Sequence, residues 1–132
     1  MEIKDGKQAV YAITRAEWRK WLQENSQTEK SVWLILYHKN SKVESVNLTE
    51  ATEEALCFGW IDSLCKKRDG ESYYLTFTPR NAKKSKWSKP NRERAERMIK
   101  QGLMTEYGQY LIDIAKQLGK WELCDKKRST YA

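Results

Sequence analysis

The chain has 132 residues, 39% hydrophobic and 33% charged, with 25 Lys/Arg against 18 Asp/Glu. That length suits one domain over 1–132, and the apolar fraction is enough for a core. The sequence has no run of 18 apolar residues, so no spanning helix is expected.

Met1 to Lys7 lacks the apolar stretch of a signal peptide, and the expected location is cytoplasmic. Cys57, Cys65 and Cys124 form no Cys-x-x-Cys pair, and His38 is the single histidine. Reduced thiols are expected, with no metal and no cofactor.

In chain order, Gln8 to Ile13 alternates weakly and reads as an edge strand. Thr14-Arg15-Ala16-Glu17 has the spacing of a capping box, with Ile13 and Trp18 placed as a hydrophobic staple. Trp18, Trp21 and Leu22 then share one face of a helix over 15–24.

Ser31 to His38 is short, apolar and β-rich, which suits a central strand covered on both faces. Val43 to Val46 reads as a short partner strand. A helix over 49–58 follows, capped by Thr49 and stopped by Gly59. Glu50, Glu53 and Glu54 fall in its first turns, where the helix dipole favours anions.

Trp60–Lys67 and Ser72–Thr78 flank Asp69-Gly70, a strong hairpin signal. A two-residue loop would place Arg68 opposite Glu71, Leu64 opposite Leu75 and Asp62 opposite Phe77. Trp60, Asp62, Leu64, Tyr73, Leu75 and Phe77 would then share the core face. A carboxylate there needs partners, and Arg80, Arg92 and the Trp87 indole are the candidates.

Ser88 can cap a helix with Pro90 in its first turn, a buried side at Ala95, Met98, Ile99 and Gly102, and a stop at Gly102. Thr105 can cap a last helix with a stripe at Tyr107, Tyr110, Leu111, Ile114, Ala115 and Leu118. The tail over 123–132 is polar and expected to fray. The fold class is therefore α+β: a small, mainly antiparallel sheet with a central hairpin, packed by about four helices.

Charge is concentrated in one segment. Residues 80–100 hold nine Lys/Arg and two Glu, and the rest of the chain balances at 16 of each sign. One-sided charge of this density repels itself and points to an anionic partner. The candidate binding residues are Trp60, Asp62, Arg80, Lys83, Lys84, Lys86, Trp87, Ser88, Asn91 and Arg92. The amides opening the Pro90 helix would add a phosphate-favouring dipole end, and Trp87 could stack on a nucleic-acid base. Asp62 beside Arg80 reads either as a base with an anion clamp or as a structural ion pair. The sequence has neither a Ser/His/Asp order nor a Gly-rich phosphate loop, so no catalytic residue is assigned.

Several blocks resemble the YdeI/OmpD-associated family of bacteria, also described as bacteriocin-protection proteins. They are Glu17-Trp18-Arg19-Lys20-Trp21-Leu22, Val32-Trp33-Leu34 and Glu54 through Ser63. Tyr73 follows, then Phe77-Thr78-Pro79-Arg80, Trp87 through Arg92, Gly102-Leu103-Met104-Thr105 and Ala115-Lys116. The resemblance implies a small cytoplasmic α+β protein linked to stress and antimicrobial-peptide resistance, in some members through an outer-membrane porin. It brings no catalytic residues.

The expected function is thus non-enzymatic binding of an anionic partner, a nucleic acid or another polyanion, through the basic segment. The alternatives are an enzyme acting on a small anionic substrate with Asp62 as base, or a protein–protein interaction module.

Overall fold

The computed structural model describes residues 2–121. The expectations for Cys124 and for fraying over 123–132 fall outside them. The fold is α+β, with a five-stranded, mostly antiparallel sheet and four α-helices among the described residues. No described helix is long and apolar enough to cross a membrane. The chain forms two compact units. One is the described chain up to Ala55 together with Trp60–Pro79; the other is Leu56–Gly59 together with residues 80–121.

The first unit is built on the sheet. Its strands are β1 (Glu2–Lys4), β2 (Lys7–Tyr11), β3 (Val32–Tyr37), β4 (Trp60–Lys67) and β5 (Ser72–Pro79), in the order β1-β2-β3-β5-β4. β2 and β3 run parallel, and the other neighbours are antiparallel. β3 is central, and Val32 through Leu36 are all buried, as its continuous apolar run requires.

The expected edge strand near Gln8 lies inside the sheet instead. β1 covers its outer side through a turn at Asp5-Gly6, with Lys4 opposite Lys7. Asp5 and Gly6 have φ of 53° and 75°, so this is the Asp-Gly hairpin with both central residues left-handed. Val43–Val46 forms no strand; the Val46 amide donates to the Ala12 carbonyl at 3.0 Å, the Ser45 hydroxyl accepts from the Tyr37 amide at 2.9 Å, and the Glu44 carbonyl accepts from the Tyr11 hydroxyl.

The second hairpin departs from its expected register. Asp62 does face Phe77, but a β-bulge follows, and Cys65 rather than Leu64 faces Leu75. The extra residue turns Leu64 out to solvent, 53% exposed, and lengthens the loop to three residues. Asp69 shapes that loop by accepting from the Glu71 amide at 2.9 Å and the Ser72 hydroxyl at 2.8 Å.

Helix α1 (Arg15–Asn25) starts at Thr14, whose hydroxyl accepts from the Glu17 amide at 3.3 Å. Glu17 reaches back to the Ile13 amide, one residue before the expected one. Trp18 packs on Phe77 and Trp21 stands edge-on to Trp60, so α1 covers the sheet face of Phe77 and Trp60. The opposite face carries Ala9, Trp33, Ile35 and Tyr74 with Tyr37. Cations roof it: Lys7 over Trp33, Lys4 over Tyr74 and Arg68 over Tyr37.

Helix α2 (Leu48–Cys57) is capped by Asn47, not Thr49. Asn47 Oδ1 accepts from the Glu50 amide at 2.8 Å, and Glu50 returns a bond to the Asn47 amide. Glu53 and Glu54 are buried rather than arrayed at an exposed helix start. Glu54 accepts from Arg15 at 2.6 Å and Arg19 at 2.9 Å, and Glu53 from Arg15 at 3.1 Å. Two arginines one turn apart on α1 thus carry these carboxylates into the interior.

The second unit contains the end of α2, Gly59, α3 (Lys89–Lys100) and α4 (Glu106–Gln117). Gly59 ends α2 at φ 75°, as expected. The buried line of α3 is Arg92, Ala95 and Met98, and Ile99 is exposed, so the face is turned toward Arg92 relative to the expected stripe. On α4 the buried residues are Gly108, Leu111, Ile112 and Ala115, while Tyr107, Tyr110 and Leu118 are exposed.

Gly108 explains the rotation of α4. A Cβ there would sit 2.5 Å from the Cys57 carbonyl oxygen, so the helix meets the end of α2 through its glycine. Thr105, which caps α4 by accepting from the Gly108 amide, also donates its hydroxyl and amide to the Cys57 carbonyl. A periodic apolar stripe does not encode that close backbone approach, and the larger side chains were displaced to the surface.

Candidate anion-binding surface

The charge divides between the two units. The first carries 11 Lys/Arg and 12 Asp/Glu, whereas the described part of the second carries 11 and 4, a net of +7. Within that unit the basic loop between β5 and α3 is a folded turn. Asn81 Oδ1 accepts from the Lys83 amide at 3.0 Å and the Lys84 amide at 2.9 Å, and its carbonyl takes the Ser85 amide at 2.9 Å. Backbone donors are thereby consumed inside the turn, and the Lys83, Lys84 and Lys86 side chains stand in solvent.

Beneath them lies an aromatic base. Trp87 is 1% exposed, with the Arg80 guanidinium 3.8 Å from its ring centroid. Trp121 packs against it as well, at 5.0 Å between centroids. Trp87 therefore anchors the loop instead of offering a face to a base. Arg80 is 7% exposed; its amide donates to the Gly59 carbonyl at 2.8 Å, which ties the start of the loop to the α2 stop.

Ser88 caps α3 as expected, accepting from the Asn91 amide at 3.3 Å. The Arg92 amide goes to the Ser88 carbonyl, and Pro90 has no donor. These bonds occupy most of the amides that the expected dipole-end site would use. Asn91 Oδ1 accepts from Arg94 at 2.9 Å, and Arg92 is 7% exposed.

Two cations escape a search for contiguous charge. Lys116 lies over the Trp121 ring at 5.1 Å, and Lys120 donates to the Lys83 carbonyl. The last turn of α4 and the residues just after it therefore add two lysines to the loop. Lys116 stands exposed in the last turn of α4, and the half-buried Lys120 follows the Gly119 stop, next to Trp121. None of Lys83, Lys84, Lys86, Lys89, Lys116 and Lys120 has a carboxylate within ion-pair distance among the described residues. In the first unit Arg15, Arg19, Lys66 and Arg68 are paired with acids, while Lys7, Lys20, Lys30, Lys39, Lys42 and Lys67 are not among the described residues, so what sets the second unit apart is its shortage of acids, 4 against 11 Lys/Arg.

The two other expected site residues belong to the first unit. Trp60 is fully buried, and its indole N–H donates to the Ser26 carbonyl at 3.2 Å. Asp62 lies on the α1-covered face but is only half-buried, at the bulge. Water can solvate its carboxylate, which removes the need for a buried cation. His38 is exposed beside Tyr73.

A second charge cluster joins β1 to the residue after β4 across the sheet. Arg68 binds Glu2 through two nitrogens at 2.9 and 3.0 Å, and also reaches Tyr37 and Ser72. Tyr74 donates to the same carboxylate. Hydrogen bonds from Arg68 and then Tyr74 hold the Glu2 carboxyl below its ordinary range, and the bond to Glu2 pushes the Tyr74 phenol up.

Residues 10–111 match the family described as a domain of unknown function (DUF8412), and the chain belongs to that family. No curated protein matches the chain. No solved structure matches it either.

Proposed function

We propose that this protein is a non-enzymatic binding protein whose second unit engages an anionic partner through its exposed lysines. The observation that carries the reading is the net charge of +7 on the described part of this unit, where the 81–89 loop, the last turn of α4 and Lys120 bring six lysines with no acidic partner among the described residues. Fixing that much like charge on one folded surface is unfavourable until an anion neutralises it. In this reading Arg80 and Trp87 are the foundation of the surface, not its contacts, and Asn81 and Ser88 set the turn.

The resemblance to YdeI/OmpD-associated proteins supports a setting for that binding: the bacterial cytoplasm, in stress or antimicrobial-peptide resistance. The test is retention on immobilised heparin, a generic polyanion. The variant K83E/K84E/K86E changes exposed side chains only and should fold. It should elute at markedly lower salt than the unaltered protein, with an unchanged melting temperature. Equal elution would remove the loop from the binding surface.

A further inference from the structure

We propose that the anionic partner is a nucleic-acid duplex, held by its phosphate backbone without base contacts; this rests on the binding role given above to the lysine surface. Three observations separate this from the other anions that a basic segment can bind.

The first concerns small anions. A single phosphate or carboxylate is usually held by converging backbone amides or by an arginine fork. Here the Lys83, Lys84, Asn91 and Arg92 amides are engaged within the protein. Arg80 and Arg92, the arginines on either side of the loop, are each 7% exposed and present no open fork there. What solvent meets is a spread of lysines, which act as separate point charges. A lone phosphate would meet one or two of them, whereas a polymer of phosphates can meet them all.

The second concerns single strands and membranes. Proteins that bind single strands stack bases on exposed rings. Interfacial membrane binding likewise adds apolar or aromatic side chains to basic ones. Both tryptophans of this surface are closed off, Trp87 at 1% exposure and Trp121 at 6%, and the exposed Leu118 between Lys116 and Lys120 is a single aliphatic side chain with no ring to stack. Their rings carry the Arg80 and Lys116 cations instead.

The third is charge density. Without stacking, affinity follows phosphate charge per unit length, and a duplex carries twice that of one strand. A surface of lysines on a folded turn and a helix end fits a rigid, dense phosphate array.

The experiment is fluorescence anisotropy with the full chain and an end-labelled duplex of roughly 20 base pairs, at about 50 to 200 mM salt. Two unrelated sequences and the matching single strands are run alongside. Inorganic phosphate serves as competitor, and sedimentation with phosphatidylserine vesicles is the membrane arm.

The expected result is duplex binding several-fold tighter than single-strand binding, equal for both sequences. With four to six phosphates neutralised, affinity should fall about 10²- to 10³-fold across that salt range. The variant K116Q/K120Q should make the log–log salt slope shallower by about 1 to 2. Tighter single-strand binding, a sequence preference, or displacement by millimolar phosphate would overturn the duplex assignment. Lysine-dependent binding to vesicles or heparin but not to duplex would overturn it too, while leaving the anion surface intact. Failure to bind any of these polyanions would overturn both.

Discussion

The Arg80 guanidinium lies 3.8 Å from the centroid of the Trp87 ring, and both residues are buried within the second unit. A cation over an indole gains from the ring quadrupole, most when water is excluded. The pair closes the 81–87 turn from beneath, because Arg80 precedes the turn and also reaches the Lys86 carbonyl.

Trp87→Ala should therefore act on stability first. Removing a fully buried tryptophan costs about 3–5 kcal/mol. Urea unfolding of the variant should show a correspondingly lower midpoint. A base-stacking Trp87 would behave in the opposite way, with weaker ligand binding and an unchanged midpoint.

Gly108→Ala tests the seating of α4. In an open helix this change would stabilise by about 0.5–1 kcal/mol through propensity. Here the added methyl would lie 2.5 Å from the Cys57 carbonyl oxygen, a backbone atom that cannot swing away. Overpacking of this kind costs about 1–3 kcal/mol, so the sign should reverse. Thermal unfolding that shows a gain in melting temperature would contradict the close approach.

The Glu2–Arg68–Tyr74 cluster sets a pH dependence. Glu2 has a folded-state pKa below its ordinary value of 4.5. Its contribution is thus present above about pH 4.5 and is lost as pH falls through the lowered folded value. Tyr74 is shifted up from 10.0, so its contribution is present below that pH and is lost as pH rises through the folded value. Glu2→Gln should lower the melting temperature at neutral pH and converge on the unaltered protein in strong acid. A constant difference across the acid range would show that the carboxylate is not what Arg68 holds.

Much of the fold was legible because local signals agreed with one another. The Thr14, Ser88 and Thr105 caps and the Gly59 stop all lie where their side chains or φ values require. The two Asp-Gly pairs show where that reading fails. Asp69-Gly70 lies between two long strands, yet its loop is set by the Asp69 side chain and a bulge upstream. Asp5-Gly6 is the two-residue turn, and the three-residue strand before it was too short to register as a strand.

The candidate surface was legible as charge and illegible as geometry. Composition located the lysines, but tryptophan in a basic loop reads equally as a ligand platform or as an anchor. Only the contacts with Arg80 and Trp121 decide for the anchor. Lys116 and Lys120 lie more than 25 residues from the loop, so no local pattern joins them to it. Glu53 and Glu54 were ascribed to the helix dipole because their partners, Arg15 and Arg19, are equally remote in sequence.

The most direct measurement is amide and lysine side-chain NMR during titration with inorganic polyphosphate at low salt. The account predicts that the largest shifts fall on residues 83–89 and 116–120, and that added salt reverses them. Shifts centred on Asp62 and β4, with the 83–89 loop unmoved, would contradict it.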